Sequence, residues 1–261
     1  MAFRLTVVGC GDAFGSGGRL QTCLHVSHGT GGSHGTGEAN GQDEFLIDCG
    51  ASSLIGINRL KLDFNRISTI FLTHLHGDHF GGLPWVLLHA QFIAKRTAPL
   101  TIAGPVGTKA RVEAAAEVMF PGSAGNPRKF DLKFLDYSEG VPLEAAGVSV
   151  TPYEVLHASG APPYALRFQI ADKILAFTGD SEWVEAIVTA GKDADLLIAE
   201  CYAFEGAPKF HMSWRQIEAN LGRINPKQLL LTHMNADTLA RGGEIKERRV
   251  VLAEDGLQLE V

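Results

Sequence analysis

Four apolar, strand-like runs in this 261-residue chain each stop at a side chain able to ligate a metal, and that pattern limits the possible folds most sharply. The runs are Ile70-Phe71-Leu72-Thr73-His74, Val150 to His157, Ile174-Leu175-Ala176-Phe177-Thr178-Gly179-Asp180 and Leu229-Leu230-Leu231-Thr232-His233. Short continuous apolar runs of this kind suit strands buried on both faces, and α/β architectures gather functional groups at the carboxyl ends of such strands. Four ends delivering His, His, Asp and His therefore predict one shared crevice.

The first of these ends is the densest, reading His74-Leu75-His76-Gly77-Asp78-His79. Catalytic zinc takes about three protein ligands and keeps a position open. Four ligands within six residues exceed what one such ion uses, so two ions fit better. His74 and His76 would begin one site and Asp78 with His79 the other, with His157 and His233 completing one each. Asp180 would bridge, because a carboxylate can span ions about 3.5–4 Å apart. Imidazole and carboxylate donors without thiolate suit Zn2+ best, with Mn2+ or Fe as alternatives.

The remaining pattern places this crevice in an α/β frame. Strands are expected over Phe3–Val8, Cys23–Val26, Phe45–Asp48, Thr69–Leu72, Leu100–Ala103, Phe130–Leu135, Val148–Val155, Ala165–Ile170, Ile174–Phe177, Leu196–Ala199 and Leu229–Leu231. Helical spacing covers Ala51–Arg59, Trp85–Ala94, Lys109–Met119, Glu182–Ala190 and Ser213–Gly222. Asp255-Gly256 between apolar runs predicts a terminal hairpin over Val250–Leu259. With no Pro/Ser linker, one domain over residues 1–261 is the expectation, carrying a flexible Gly-rich insertion at about 27–43. His28 and His34 fall in that insertion and are expected to be solvated. His25 and His89 are expected to be packed or surface histidines rather than ligands.

Composition removes several classes of function. Hydrophobic residues are 45% and charged residues 20%, an ordinary globular balance, and no run of about 18 apolar residues offers a membrane span. Met1 to Gly9 is too short an apolar stretch for a secretion signal, so cytoplasmic residence is expected. The four cysteines are scattered and read as reduced thiols. A net charge of −6 without a block of Lys or Arg disfavours a long nucleic-acid footprint, whereas a short phosphorylated substrate remains compatible.

The motif at 74–79, followed in order by His157, Asp180 and His233, resembles the metallo-β-lactamase superfamily. The resemblance implies an αββα four-layer sandwich. It assigns His74, His76 and His157 to one metal, and Asp78, His79 and His233 to the other. Asp12 to Arg19 is similar to the opening loop of RNase Z-like phosphodiesterases. Ala199-Glu200-Cys201-Tyr202 with His211-Met212-Ser213 is similar to their paired motifs, although Ala199 stands where that group often has His. The resemblance gives Asp78 a catalytic part as well, makes His211 the general acid and has Glu200 orient it.

What the resemblance implies is a dinuclear phosphodiesterase in which the ions bring a bridging water to a pKa of about 7. Only 22 residues separate His157 from Asp180, and residues 27–43 lack basic side chains, so neither segment supplies a tRNA-gripping arm. A small or cyclic phosphodiester, a nucleotide or a short RNA end is therefore the expected partner. Arg19 and Arg167 are candidate phosphate ligands, with an ordinary surface role as the alternative. Asp48 could orient a ligand histidine or cap its own turn. A homodimer is expected on the family pattern. Two other readings use the same core: hydrolysis of a carbon ester, thioester, lactone or β-lactam, and a non-catalytic metal-binding protein of this fold.

Overall fold

The computed structural model describes residues 2–29, 42–123 and 127–261. In chain order the strands and α-helices are β1 (Phe3–Gly9), β2 (Cys23–Gly29), β3 (Gln42–Ile47), α1 (Ser53–Arg59), β4 (Ile67–Phe71), α2 (Gly77–Phe80), α3 (Leu83–Phe92), β5 (Leu100–Gly104) and α4 (Thr108–Met119). The second half holds β6 (Leu132–Asp136), β7 (Leu143–Ala145), β8 (Val148–Glu154), β9 (Tyr164–Ile170), β10 (Lys173–Phe177), α5 (Glu185–Gly191), β11 (Leu196–Glu200), α6 (Trp214–Ile224), β12 (Gln228–Thr232), α7 (Ala236–Ala240), β13 (Val250–Leu252) and β14 (Gln258–Glu260).

Among the described residues these strands form two seven-stranded mixed sheets, ordered β14-β1-β2-β3-β4-β5-β6 and β13-β12-β11-β10-β9-β8-β7. Their inner faces meet in one apolar layer that includes Leu5, Phe45, Phe71, Phe168, Leu175 and Ile198. Phe168 of the second sheet stacks on Phe45 at 5.4 Å and meets Phe71 edge-on at 5.2 Å, so aromatic contacts join the two sheets. Burying each such ring contributes about 1.5–3 kcal/mol relative to leaving it in water. Helices cover both outer faces, α1, α3 and α4 on the first sheet and α5 and α6 on the second. α6 shows why: Trp214, Ile217, Leu221 and Ile224 recur at helical spacing and are all buried, and a Ser213–Gln216 capping box fixes where the helix begins. This is the α/β four-layer metallo-β-lactamase sandwich.

Strand direction then places the site. β8, β10, β11 and β12 run the same way, as do β1, β3 and β4. Their carboxyl ends lead to His157, Asp180, Glu200 and His233 from the second sheet, and to Cys10, Asp48 and His74 from the first.

Two expectations need correction. Val250–Leu259 is not a hairpin: β13 pairs with β12 in the second sheet, while β14 pairs with β1 in the first. The turn at Asp255-Gly256 instead carries the chain between sheets, and Asp255 ties it down by accepting from the Cys10 and Leu20 backbone N–H groups. The Gly-rich insertion begins later and ends earlier than expected, because β2 runs to Gly29 and β3 starts at Gln42. His28 is consequently a buried strand residue, with Nε2 3.0 Å from the Ala146 carbonyl, and not a solvated one. The rest of the insertion, with His34, lies outside the described residues. His25 is buried and paired with Glu44 at 3.0 Å, while His89 packs edge-on to Phe64. All four cysteines are free and buried. No helix among the described residues is long and apolar enough to cross a membrane.

Candidate active site

Between β4 and α3 the chain must present four polar side chains inward within six residues. It does so by ending β4 at Phe71, extending to His76 and turning once through α2, so that Asp78 and His79 face the same interior as His74. Close backbone approach makes this possible: a Cβ on Gly50 would lie 2.2 Å from the Asp78 carbonyl oxygen. Gly179, at φ 58°, lets β10 turn out to Asp180 directly against Thr73.

Among the described residues four groups of possible ligand atoms converge, two of which include His211. The other two hold all seven candidate ligands: His74, His76 and His157, and Asp78, His79, Asp180 and His233. Asp180 Oδ2 stands between them, 3.3 Å from both His79 Nε2 and His233 Nε2, 3.9 Å from His74 Nε2 and 4.0 Å from His157 Nε2. Asp78 Oδ2 is 3.2 Å from His233 Nε2 and 3.5 Å from His79 Nε2.

The surroundings fix which ring nitrogen carries hydrogen. His79 Nδ1–H donates to Asp48 Oδ2 at 2.7 Å, and His157 Nδ1–H donates to the Phe210 carbonyl at 2.9 Å. Thr73 Oγ1 donates its hydrogen to Asp48, so toward His74 Nδ1, 3.1 Å away, it acts as acceptor. His76 is held the other way round, with Nε2–H donating to the Ala158 carbonyl at 3.1 Å. These assignments follow because carbonyls and carboxylates only accept. In the neutral rings the remaining nitrogens of His74, His76, His79 and His157 then point a lone pair inward, while His233 Nε2 lies 3.2 Å from Asp78 Oδ2. His76 Nδ1 and His157 Nε2 face one another at 2.9 Å, an approach that a proton on one ring or a shared metal cation satisfies. His74 Nε2, His79 Nε2 and Asp180 Oδ1 are buried without any hydrogen-bond partner. Buried polar atoms are seldom left so, and these fit a cation better than any protein donor.

Charge follows the same logic. Burial alone would raise Asp78 and Asp180, but the surrounding imidazoles outweigh it and hold both carboxyls below the usual range. Burial alone would lower His79 and His233. The carboxylates outweigh that too, lifting His79 well above its ordinary value and His233 to about 9. His74, further from the carboxylates, is driven down by burial.

Beside these groups lies a second pair. Glu200 ends β11 fully buried, and Oε1 accepts from the Ser181 N–H at 2.6 Å. Its Oε2 accepts from His211 Nδ1–H at 3.2 Å. Burial would lower His211, but this carboxylate raises it; Glu200 itself is pushed up by burial. Tyr202 stacks on the His211 ring at 4.8 Å. A cleft of about 280 Å³ opens over the whole arrangement, lined by His76, Asp78, His157, Asp180, Tyr202, His211 and His233, with Ala13, Phe14 and Pro208 on its rim.

Of the two arginines singled out from the sequence, Arg19 lies in a groove adjoining this cleft. Arg167 is not brought near it: its guanidinium donates to the Ala190 and Lys192 carbonyls at the end of α5. Thr73, Tyr202, Phe14 and the carbonyls of Ala158 and Phe210 were not legible as site components. Of these, Tyr202, next to the Glu200 motif, and Phe14, inside the Asp12–Arg19 loop, carried a signal.

Comparison with known proteins agrees with this geometry. Ribonuclease Z of Geobacillus kaustophilus is 26% identical, the match covering 74% of this chain and 78% of that protein. A diphosphatase from the PhnP family superposes with a TM-score of 0.77 at 20% identity, over 100% of this chain and 98% of the other. YhfI, a metallo-beta-lactamase fold protein from Bacillus subtilis, gives 0.74 at 20% identity over the full length of both chains. These likenesses put the protein in the RNase Z-like branch of the metallo-β-lactamase superfamily. Residues 36–255 match the family described as "Anti-Pycsar protein Apyc1", and the chain belongs to that family.

Proposed function

We propose that this protein is a dinuclear, zinc-dependent phosphodiesterase acting on a small or cyclic nucleoside phosphodiester. The observation that carries the proposal is the set of inward lone pairs and orphaned buried atoms on His74, His76, His79, His157 and Asp180, beside the Glu200–His211 pair. His74, His76 and His157 would hold one ion, Asp78, His79 and His233 the other, and Asp180 both. When bound, such a pair supplies Lewis acidity, bringing a water toward a pKa of about 7 and neutralising charge on phosphoryl oxygens.

The protein's own residues do the rest. Asp78, ionised and at the cleft wall, accepts a hydrogen bond from the attacking water and so orients it. The water gives one proton up to solvent, and its oxygen bonds to phosphorus as the opposite P–O bond breaks. His211 gives its second ring proton to the departing oxygen, and solvent returns a proton to the ring. Glu200 fixes the His211 tautomer and favours its charged form. A cleft of about 280 Å³ accommodates a phosphodiester and its sugar, but not a folded RNA body.

The Glu200–His211 pair favours substrates that expel an alkoxide, such as a nucleoside phosphodiester, over thioesters, whose thiolate departs without a proton. A side-by-side assay with a cyclic nucleotide, bis(p-nitrophenyl) phosphate, a thioester and a lactone tests this. Turnover of the cyclic nucleotide should exceed that of the thioester by about 10²-fold, the lower bound of general-acid assistance. Preferential turnover of the thioester or lactone would overturn it.

A further inference from the structure

The loop after β1 is built to hold an aromatic ring in water. Asp12 is buried, and its Oδ1 accepts from the Phe14 N–H at 3.2 Å and the Ser16 N–H at 2.8 Å; Oδ2 accepts from Ser16 Oγ at 2.7 Å. The Ala13 carbonyl is held by Gln21 Nε2 at 3.1 Å. Between these anchors Phe14 is 84% exposed, the highest value among the described large hydrophobic residues.

Its position gives that exposure a use. Phe14 and Ala13 border the His/Asp cleft and also a second groove of about 360 Å³, so the ring stands on the divide between them. That groove adds an apolar wall at Ile55, itself 51% exposed, and polar groups at Arg19 and Gln21. Arg19 Nη1 is shielded from solvent and has no acceptor among the described residues. The cleft alone falls at the lower limit of small-molecule sites, about 300–1,000 Å³, and the groove extends it past Phe14.

We propose that Phe14 is the stacking platform for the nucleobase of the substrate, with the base lying toward the Arg19–Ile55 groove while its phosphodiester occupies the cleft. This rests on the phosphodiesterase reading for the cleft and adds a specificity-determining residue to it. A base meets both halves of the groove's chemistry: its π-face suits Phe14 and Ile55, and its polar edge suits Arg19 and Gln21. A sugar phosphate without a base has no use for an exposed phenyl ring. Stacking on one aromatic side chain is worth on the order of tenfold in affinity. It tolerates different bases, because every base has a π-face.

Calorimetric titration of the metal-loaded protein with AMP and with ribose 5-phosphate tests the proposal without requiring turnover. The wild-type protein should bind AMP about tenfold more tightly than ribose 5-phosphate. Phe14→Ala should reduce that ratio to about one while leaving ribose 5-phosphate affinity unchanged, and Phe14→Trp should keep or increase it. A wild-type ratio near one, or a tenfold ratio that survives in Phe14→Ala, would overturn the stacking role. Hydrolysis is scored separately: a protein that shows the Phe14-dependent ratio but cleaves no phosphodiester supports the platform and refutes the phosphodiesterase reading alone.

Discussion

Asp48 Oδ2 receives the Nδ1 hydrogen of His79 across 2.7 Å, and both side chains are sealed from solvent. Asp48 also accepts from the Thr73 N–H and hydroxyl, each at 2.8 Å, so one carboxylate orients His79 and, through Thr73, His74. One ring from each ligand group therefore depends on it. Partners of this kind typically contribute 10–100-fold to metal affinity. Asp48→Ala should weaken zinc binding by about that factor, measured by competition with a chromophoric chelator. Asp48→Asn should lose less, since its amide oxygen still accepts from His79 and Asn tolerates the φ of 58° at this position. Unchanged affinity in both folded variants would show that Asp48 serves only the turn.

Leaving-group chemistry separates His211 from the metal ligands. His211→Ala should lower kcat on a nucleoside phosphodiester by about 10²–10⁴-fold and affect a p-nitrophenyl ester by less than about tenfold, because p-nitrophenolate departs without a proton. Equal losses on both would remove the general-acid role. Since Glu200 is what lifts His211, Glu200→Gln should also move the alkaline limb of the pH–rate profile to lower pH. An unmoved limb would mean that the pair is structural.

Four of the seven candidate ligands, His74, His157, Asp180 and His233, were legible because each ends a local apolar run, and His76, Asp78 and His79 because they crowd within five residues of His74. The carbonyls of Ala158 and Phe210 that fix His76 and His157 were not, because a backbone acceptor leaves no mark on residue type. The same limit explains the terminal strands. Val250–Leu252 and Gln258–Glu260 look like a hairpin locally, but β12 and β1 compete for them from opposite sheets. Arg167 alternates with apolar residues along β9, which correctly implies the outer face; that it ends on the α5 carbonyls follows only from how the helix packs. His28 was readable in principle, since the alternation begun at Cys23 continues through it, but the glycines that follow masked the strand.

Metal binding should be coupled to protons. With no cation, the carboxylates keep His79 charged and raise His233 to about 9. Zinc must displace those protons, so loading at neutral pH should release about two per chain, and affinity should rise with pH through about 9, where His233 is half neutralised. Titration of the metal-free protein in buffers of different ionisation enthalpy counts them, and a release near zero would contradict the assignment. In the metal-free chain the raised His233 value stabilises the fold below the ordinary histidine pKa, an effect lost as pH rises through about 9. Melting curves of the chelated protein should therefore shift down across that window.

Because Asp180 Oδ2 lies within 4.0 Å of ring nitrogens from both ligand groups, the sharpest test is elemental analysis of gel-filtered, zinc-reconstituted wild type and Asp180→Ala in parallel. Wild type should carry about two ions per chain, and the variant, still folded by circular dichroism, well under one. A wild-type protein that holds at most a single ion, or a variant that retains both, would contradict the dinuclear site.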